Sequence, residues 1–376
     1  MISQNKMKKT LLILDSLNKM FPQNGKVHGG ANLIGRYLVE YFAKLPNIEL
    51  DIICGTSDIK NINGVKNIIT LDFCPFSNMD DFFKKIEKHI EKNNYDVIFT
   101  SDLFPPFGNI LVHSHTIIYK NKNGKNFLEC FVQSFLRRKK VANFKALFKN
   151  KNRKIFTVSK KLAQDYVENL NFAPENVICV YPGTDQKAEP KYNPQSVFTF
   201  GIVAGNAINK GGYLFLFAAL LLKISGKNFR AKIIAPKASI MQFFINLLML
   251  NDKIEILQEQ EGLSEFYKQI DCLVLPSLNE AFGLVVTEAA AEGKASLVSS
   301  TAGSAEIIND GENGFIFKRS KCIMKSLYNL YKKMSQIIDM PDSKFQKITE
   351  NAYTMSTKCS WDKFFEKIAQ ELKLTL

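Results

Sequence analysis

The stretch over residues 273–293 constrains the fold more than any other part of the chain. Leu273-Val274-Leu275-Pro276 is a short apolar run closed by a breaker, the pattern of a buried strand. Glu280-Ala281-Phe282-Gly283-Leu284-Val285-Val286-Thr287-Glu288 follows. Then comes the helix-forming run Ala289-Ala290-Ala291-Glu292, which Gly293 stops. Two glutamates thus flank a strand-to-helix turn at the carboxyl end of a strand, where ligands of open α/β sheets bind. Gly283 has no Cβ, so the backbone can approach a ligand closely there. A helix opening near Leu284 aims its free amides at the same place and favours an anion. Carboxylates beside a row of amides can hold hydroxyls and phosphate together, as a sugar nucleotide requires. A pair of glutamates beside a glycine turn can also arise in any helix by chance, so the surrounding chain has to decide.

That surrounding chain alternates strand and helix, which predicts parallel, doubly wound α/β sheets. In the first half, residues 9–15 read as a strand and 49–55 as a second. Between them Leu33, Ile34, Tyr37, Leu38, Tyr41, Phe42 and Leu45 mark an amphipathic helix opened by Gly29-Gly30. Residues 80–92 read as helix, 95–100, 109–114 and 155–159 as strands, 160–170 as helix and 177–181 as strand. The Gly, Pro and polar residues through Pro190 and Pro194 read as a linker. The alternation then restarts: strands at 197–204, 233–234 and 254–257, helices at 213–224, 242–250 and 264–270. At 376 residues the chain has room for two domains. We place them at 1–185 and 186–357, with a final amphipathic helix in 358–376 carried by Trp361, Phe364, Phe365 and Ile368.

The net charge of +14 is concentrated. Residues 116–164 hold fourteen Lys and Arg against the single Glu129, so the rest of the chain is close to neutral. Here Phe127, Phe131, Phe135, Phe144 and Phe148 interleave with Arg137, Arg138, Lys139, Lys140, Lys145 and Lys149. A basic amphipathic helix of this kind reads as a membrane-facing surface on an anionic bilayer. A solvated face over an ordinary core stripe is the plainer alternative. Nucleic acid ranks below both, since no nucleic-acid motif accompanies the charge. Lys8-Lys9 and Leu11-Leu12-Ile13-Leu14, cut by Asp15, are too short for a signal peptide and read as the first strand. The longest apolar run, 213–222, falls well short of the roughly 20 residues of a membrane span. The seven cysteines include no Cys-x-x-Cys pair, which predicts buried free thiols in a reducing compartment. Four histidines without ligand spacing argue against a metal site. His89 reads as a solvated helix residue.

Residues 273–317 resemble the carboxyl-terminal signature of the retaining GT-B glycosyltransferases of family four. The likeness rests on Leu-Pro-Ser, the E-x7-E element, Thr301-Ala302-Gly303-Ser304-Ala305-Glu306 and Asp310-Gly311-Glu312-Asn313-Gly314-Phe315. It implies two Rossmann-like domains with an interdomain cleft: an acceptor domain, a nucleotide-sugar domain, and a last helix crossing back to the first. It also implies roles. Glu288 would accept ribose hydroxyls. Glu280 would hold donor-sugar hydroxyls with the amides of Ala281, Phe282, Gly283 and Leu284. Lys210, opening a helix with Gly211-Gly212, would stabilise the diphosphate. Gly29 and Gly30 would lie over the donor, and His115, preferred to His113, would stand near the reacting carbon. The family's loop Arg is missing, its possible positions holding Gly205 or Asn209.

Within that family the chain looks most like the lipopolysaccharide core glucosyltransferases. The resemblance implies UDP-glucose as donor, a lipid-linked glycan as acceptor, no cofactor, no metal, and a cytoplasmic enzyme held on the inner face of the membrane. Capsular, teichoic acid or protein-glycan acceptors stay open. A non-enzymatic polyanion-binding protein is the rival from another class.

Overall fold

The computed structural model describes residues 7–23, 27, 29–71, 79–101, 105–113, 150–187, 189–190, 192–203, 210–235, 238–257 and 263–375. The chain divides into two compact units, one of residues 1–181 with 361–376, the other of residues 182–360.

The first unit is a seven-stranded sheet in the order β3-β2-β1-β4-β5-β6-β7, every pairing parallel. Its strands are β1 (Lys8–Ser16), β2 (Ile48–Thr56), β3 (Asn67–Thr70), β4 (Val97–Ser101), β5 (Asn109–Val112), β6 (Ile155–Thr157) and β7 (Val177–Cys179). The helices are α1 (Leu17–Met20), α2 (Gly30–Phe42), α3 (Met79–Lys92) and α4 (Lys160–Leu170). A parallel sheet has both faces covered, so its inner strands are apolar throughout rather than alternating. Leu11, Leu12, Ile13 and Leu14 are accordingly all buried.

The second unit is a six-stranded parallel sheet in the order β10-β9-β8-β11-β12-β13. Its elements run β8 (Thr199–Val203), α5 (Gly212–Ile224), β9 (Arg230–Ile234), α6 (Ala238–Leu247), β10 (Ile254–Leu257) and α7 (Ser264–Lys268). They continue through β11 (Cys272–Leu275), α8 (Leu284–Ala291), β12 (Ala295–Ser299), β13 (Phe315–Phe317), α9 (Ile323–Ile338) and α10 (Asp342–Ser356). Asp271, buried just before β11, accepts the N–H groups of Gln195 at 2.9 Å and Thr199 at 2.7 Å, tying the start of β11 to the start of β8. The last helix, α11 (Trp361–Glu371), belongs to the first unit. There Trp361 stacks on Tyr37 with ring centroids 4.8 Å apart, and Glu371 pairs with Lys154 at 2.6 Å.

Several expectations are corrected. Strands β3, β12 and β13 are additional to those read from the sequence, and the helix expected at 242–250 begins at Ala238 and ends at Leu247. His89 is half-buried rather than fully solvated: its Nε2 lies 2.9 Å from the Tyr95 hydroxyl, which donates to the buried Asp51 at 2.8 Å. Burial pulls the His89 pKa down. Cys54 and Cys272 are buried free thiols as expected, but Cys322 is exposed. None of the described helices is long and apolar enough to cross a membrane.

Candidate active site

Strand order places the site of the second unit. β8 and β11 are neighbours, yet the chain leaves β8 through α5 toward β9 and leaves β11 through α8 toward β12, on the other side. The connections diverge at this switch point and leave a crevice at the strands' carboxyl ends, where α/β sheets bind ligands. The amino ends of α5 and α8 both open there.

Lys210 precedes α5 and Glu280 precedes α8, and the two side chains form an ion pair across 70 residues of sequence. The Glu280 side chain is only 13 % exposed and Lys210 35 %, so the pair is partly withdrawn from water. Ser277 Oγ donates to Glu280 Oε2 at 3.2 Å. The approach of the two loops depends on Gly211, whose φ is +73°. A Cβ there would sit 2.2 Å from the Pro276 carbonyl oxygen. At Gly283, φ +100°, a Cβ would lie 2.6 Å from Leu275 Cδ2. Both positions combine the left-handed conformation with a close approach, and only glycine meets both demands.

The segment after β12 clamps this loop. Gly303 N–H donates to the Glu280 carbonyl at 2.9 Å and Ser304 N–H to that of Phe282 at 2.9 Å. Thr301 Oγ1 donates to the Ser277 carbonyl at 3.3 Å. Ala281 and Phe282 are buried, while Leu284 is half-exposed. The Thr301-to-Glu306 signature, to which sequence reasoning assigned no task, thus holds Glu280 in place. Ser304 Oγ is itself buried with no hydrogen-bond partner.

Glu288, on α8, is half-buried and accepts the hydroxyl proton of the buried Tyr267 at 3.0 Å. Burial raises the carboxyl pKa, the Tyr267 bond opposes the rise, and Asp185 adds to it. Burial and the neighbouring Glu288 push the Tyr267 hydroxyl well above its ordinary value. Sequence reasoning missed Tyr267, whose only signal is a hydroxyl-bearing ring in a short helix ahead of β11.

The structure therefore brings Lys210 and Glu280 together and engages Glu288 with Tyr267. Gly29 and Gly30 are exposed at the start of α2 in the first unit, Gly29 with φ +82°. His113 directly follows β5, with its Nε2 2.8 Å from Ser101 Oγ. His115, Arg137, Arg138, Lys139, Lys140, Lys145 and Lys149 lie outside the described residues, as do Gly205 and Asn209. Among the described residues no group of three or more His, Cys, Asp or Glu is spaced to hold a metal ion. A separate groove of about 470 Å³ lies past the carboxyl end of α8, lined by Glu189, Tyr192, Gly293, Glu350 and Tyr353, and no expected site residue lines it. Chemically, the crevice offers an ammonium and two helix amino ends to an anion, and carboxylate oxygens to hydroxyls.

Fold and site together describe an α/β protein of the GT-B type, with two Rossmann-like parallel-sheet units. Residues 192–355, nearly all of the second unit, match the family model of group 1 glycosyl transferases. The chain is 27% identical over 214 residues to an uncharacterized glycosyltransferase, MJ1178, of Methanocaldococcus jannaschii, a match spanning 56% of each. It thus spans little more than half the length of that relative. Among solved structures it is similar to WaaG, a glycosyltransferase involved in lipopolysaccharide biosynthesis, with TM-score 0.75, 16% identity and coverage of 96% of this chain and 99% of that one. It is also similar to Anabaena Alr3699/HepE in complex with UDP and glucose, with TM-score 0.67, 17% identity and coverage of 98% and 99%.

Proposed function

We propose that this chain is a glycosyltransferase that moves a hexose from a nucleotide sugar, UDP-glucose, to a glycan acceptor on a membrane lipid, retaining the anomeric configuration and using no metal. The observation that carries this reading is the Lys210–Glu280 pair at the β8/β11 crevice, inside the region that matches the group 1 glycosyl transferases. The UDP and glucose named for the HepE structure support the donor, and the lipopolysaccharide role named for WaaG supports the acceptor class.

In this reading Lys210 and the first amides of α5 and α8 neutralise the departing diphosphate, the term expected to dominate the rate. The bond from the acceptor oxygen to the anomeric carbon forms on the face from which the phosphate oxygen leaves. The acceptor's hydroxyl proton passes to that departing phosphate. Glu280 accepts sugar hydroxyls, with the amides of Ala281, Phe282, Gly283 and Leu284 beside it. Glu288 accepts ribose hydroxyls, sharing them with the Tyr267 contact, and His115 shields the developing positive charge. Gly29 and Gly30 bring backbone amides to the donor. Arg137, Arg138, Lys139, Lys140, Lys145 and Lys149 hold the enzyme on the anionic inner face of the cytoplasmic membrane. Metal independence is inferred from a sequence without an Asp-x-Asp element to hold a cation against a diphosphate.

A panel of nucleoside diphosphates tests the donor by thermal shift, and transfer from UDP-glucose in excess EDTA tests the chemistry. The expected result is a stabilisation specific to UDP and an α-linked product by NMR, formed despite chelation. Stabilisation by any polyanion would favour a binding protein instead. A β-linked product, or activity that returns only with Mg²⁺, would overturn the mechanism.

A further inference from the structure

Three helices of the second unit share one face of its sheet. The connections β8-α5-β9 and β9-α6-β10 step in the same direction across the sheet, and right-handed crossovers put both helices on the same side. α9 packs against α5 and β13 in that layer. The inner sides of all three meet in one core, with Phe215 and Leu222 from α5, Met241 and Ile245 from α6, and Leu330 and Met334 from α9.

The outer sides are unusual. Ten large apolar side chains are exposed among the described residues, and nine of them lie on this layer. α5 exposes Phe217 and, at its end, Ile224. α6 exposes Ile240, Phe243 and Leu247, with Met249 just beyond, and α9 exposes Ile323, Met324 and Tyr328. Phe243, Leu247, Met249 and Met324 are each more than 60 % exposed, which no internal packing accounts for. Exposed apolar side chains gathered on one helical layer in this way mark an interaction site.

Charge selects the occupant. Residues 238–250 contain no charged side chain, and none of the three helices contains an Asp or Glu. α5 contributes Lys223, and α9 contributes Lys325, Lys332 and Lys333. Lys223 pairs with Asp252 at 2.6 Å and Lys333 with Asp310 at 2.9 Å. Lys325 and Lys332 are exposed and have no salt-bridge partner among the described residues. A second copy docked through a two-fold axis would set these lysine-bearing helices, which hold no acid of their own, against themselves. An anionic lipid surface complements both features: it buries the apolar side chains at the headgroup boundary, and each free lysine favours binding by about fivefold. We propose that the α5-α6-α9 face is an interfacial surface for an anionic bilayer. It uses none of residues 137–149, and it does not depend on glycosyl transfer.

The test uses the full chain with Phe243→Trp, since the one native tryptophan, Trp361, is buried in the first unit. Vesicles of phosphatidylcholine, alone or with phosphatidylglycerol, are added. The expected result is a blue shift of the introduced indole with the anionic vesicles only. Phe243→Ser, Leu247→Ser and Met324→Ser together should weaken co-sedimentation about tenfold or more while leaving the melting temperature unchanged, because all three side chains are exposed. An unshifted indole on a chain that still sediments would place membrane binding elsewhere and overturn the proposal. So would an equal shift with neutral vesicles, or failure to sediment at all. A dimer in light scattering that the triple variant dissolves would make the face an interface between copies.

Discussion

Two glycines with nearly the same backbone separate conformational strain from collision. Gly211 and Gly226 have φ of +73° and +74°, one just before α5 and one just after it. A Cβ on Gly226 would meet nothing within 4 Å, whereas one on Gly211 would lie 2.2 Å from the Pro276 oxygen and 2.7 Å from its carbon. Gly226→Ala therefore costs only the left-handed conformation, about 1–2 kcal/mol. Gly211→Ala costs the same plus a collision with backbone, which cannot swing aside as a side chain can. Overpacking of this kind adds about 1–3 kcal/mol, for a total of about 2–5 kcal/mol. Hydrogen exchange of the β8 and β11 amides reads the second unit alone. The difference between the variants should appear as roughly 5- to 150-fold faster exchange in Gly211→Ala than in Gly226→Ala, at about 1.4 kcal/mol per tenfold. If the loops can only meet through Gly211, the alanine also parts Lys210 from Glu280, and on the proposed function UDP affinity falls in that variant alone. Equal exchange in the two variants would refute the claim that the Gly211–Pro276 contact holds the crevice together.

Other consequences concern protons and thiols. Because burial raises the Glu288 carboxyl pKa, the folded chain holds that proton more tightly than the unfolded one, so its contribution to stability declines as pH rises from about 4.5 through the raised value. Glu288→Gln keeps an acceptor for Tyr267 and cannot ionise, so its melting temperature should exceed wild type by a margin that grows over this window and then levels off. A margin independent of pH would remove the burial argument. Cys322 occupies the N-cap position of α9, where the nearby amides of Lys325 and Met324 and the Lys325 charge lower its thiol pKa. Iodoacetamide followed by peptide mapping should find it alkylated before Cys54 and Cys272, which are buried. Simultaneous labelling of all three would show that the cap does not activate it.

The strands that were legible in the sequence are those whose environment is uniform. Leu11-Leu12-Ile13-Leu14 and Leu273-Val274-Leu275 lie in sheet interiors covered on both faces, and a continuous apolar run can report that. The strands that escaped notice are short, lie at an edge or are interrupted by polar residues. β3 is a four-residue edge strand, half-exposed along most of its length, and β13 has three residues. β12 is central and fully buried, but two of its five positions are Ser296 and Ser299, whose hydroxyls mask an interior strand. His89 looked solvated because α3 is rich in charge. Its partners, Tyr95 and through it Asp51, come from the turns and strands of the same sheet, and local periodicity carries no record of such a network.

The candidate site divides along the same line. Glu280, Glu288, Gly283 and Lys210 were each visible because a strand-to-helix turn, a helix start and a glycine have local signatures. What each residue touches depends on strand order. Lys210 meets Glu280 because β8 and β11 are adjacent although two strands and 70 residues intervene, and a right-handed α/β alternation alone permits other orders. Tyr267 meets Glu288 because α7 packs in the same core as α8, as Tyr267 and Val286 show. The outcome bears on chemistry as well as on topology. A crevice that brings its own cation to its own carboxylate keeps both partly buried charges paired, and so limits their desolvation cost. An anion entering between the two helix amino ends competes with Glu280 for Lys210, and a hydroxyl competes with Lys210 for Glu280. On the proposed function, phosphate binding therefore frees the acceptor oxygens that the sugar needs, and recognition of the two halves of the donor is coupled through one ion pair.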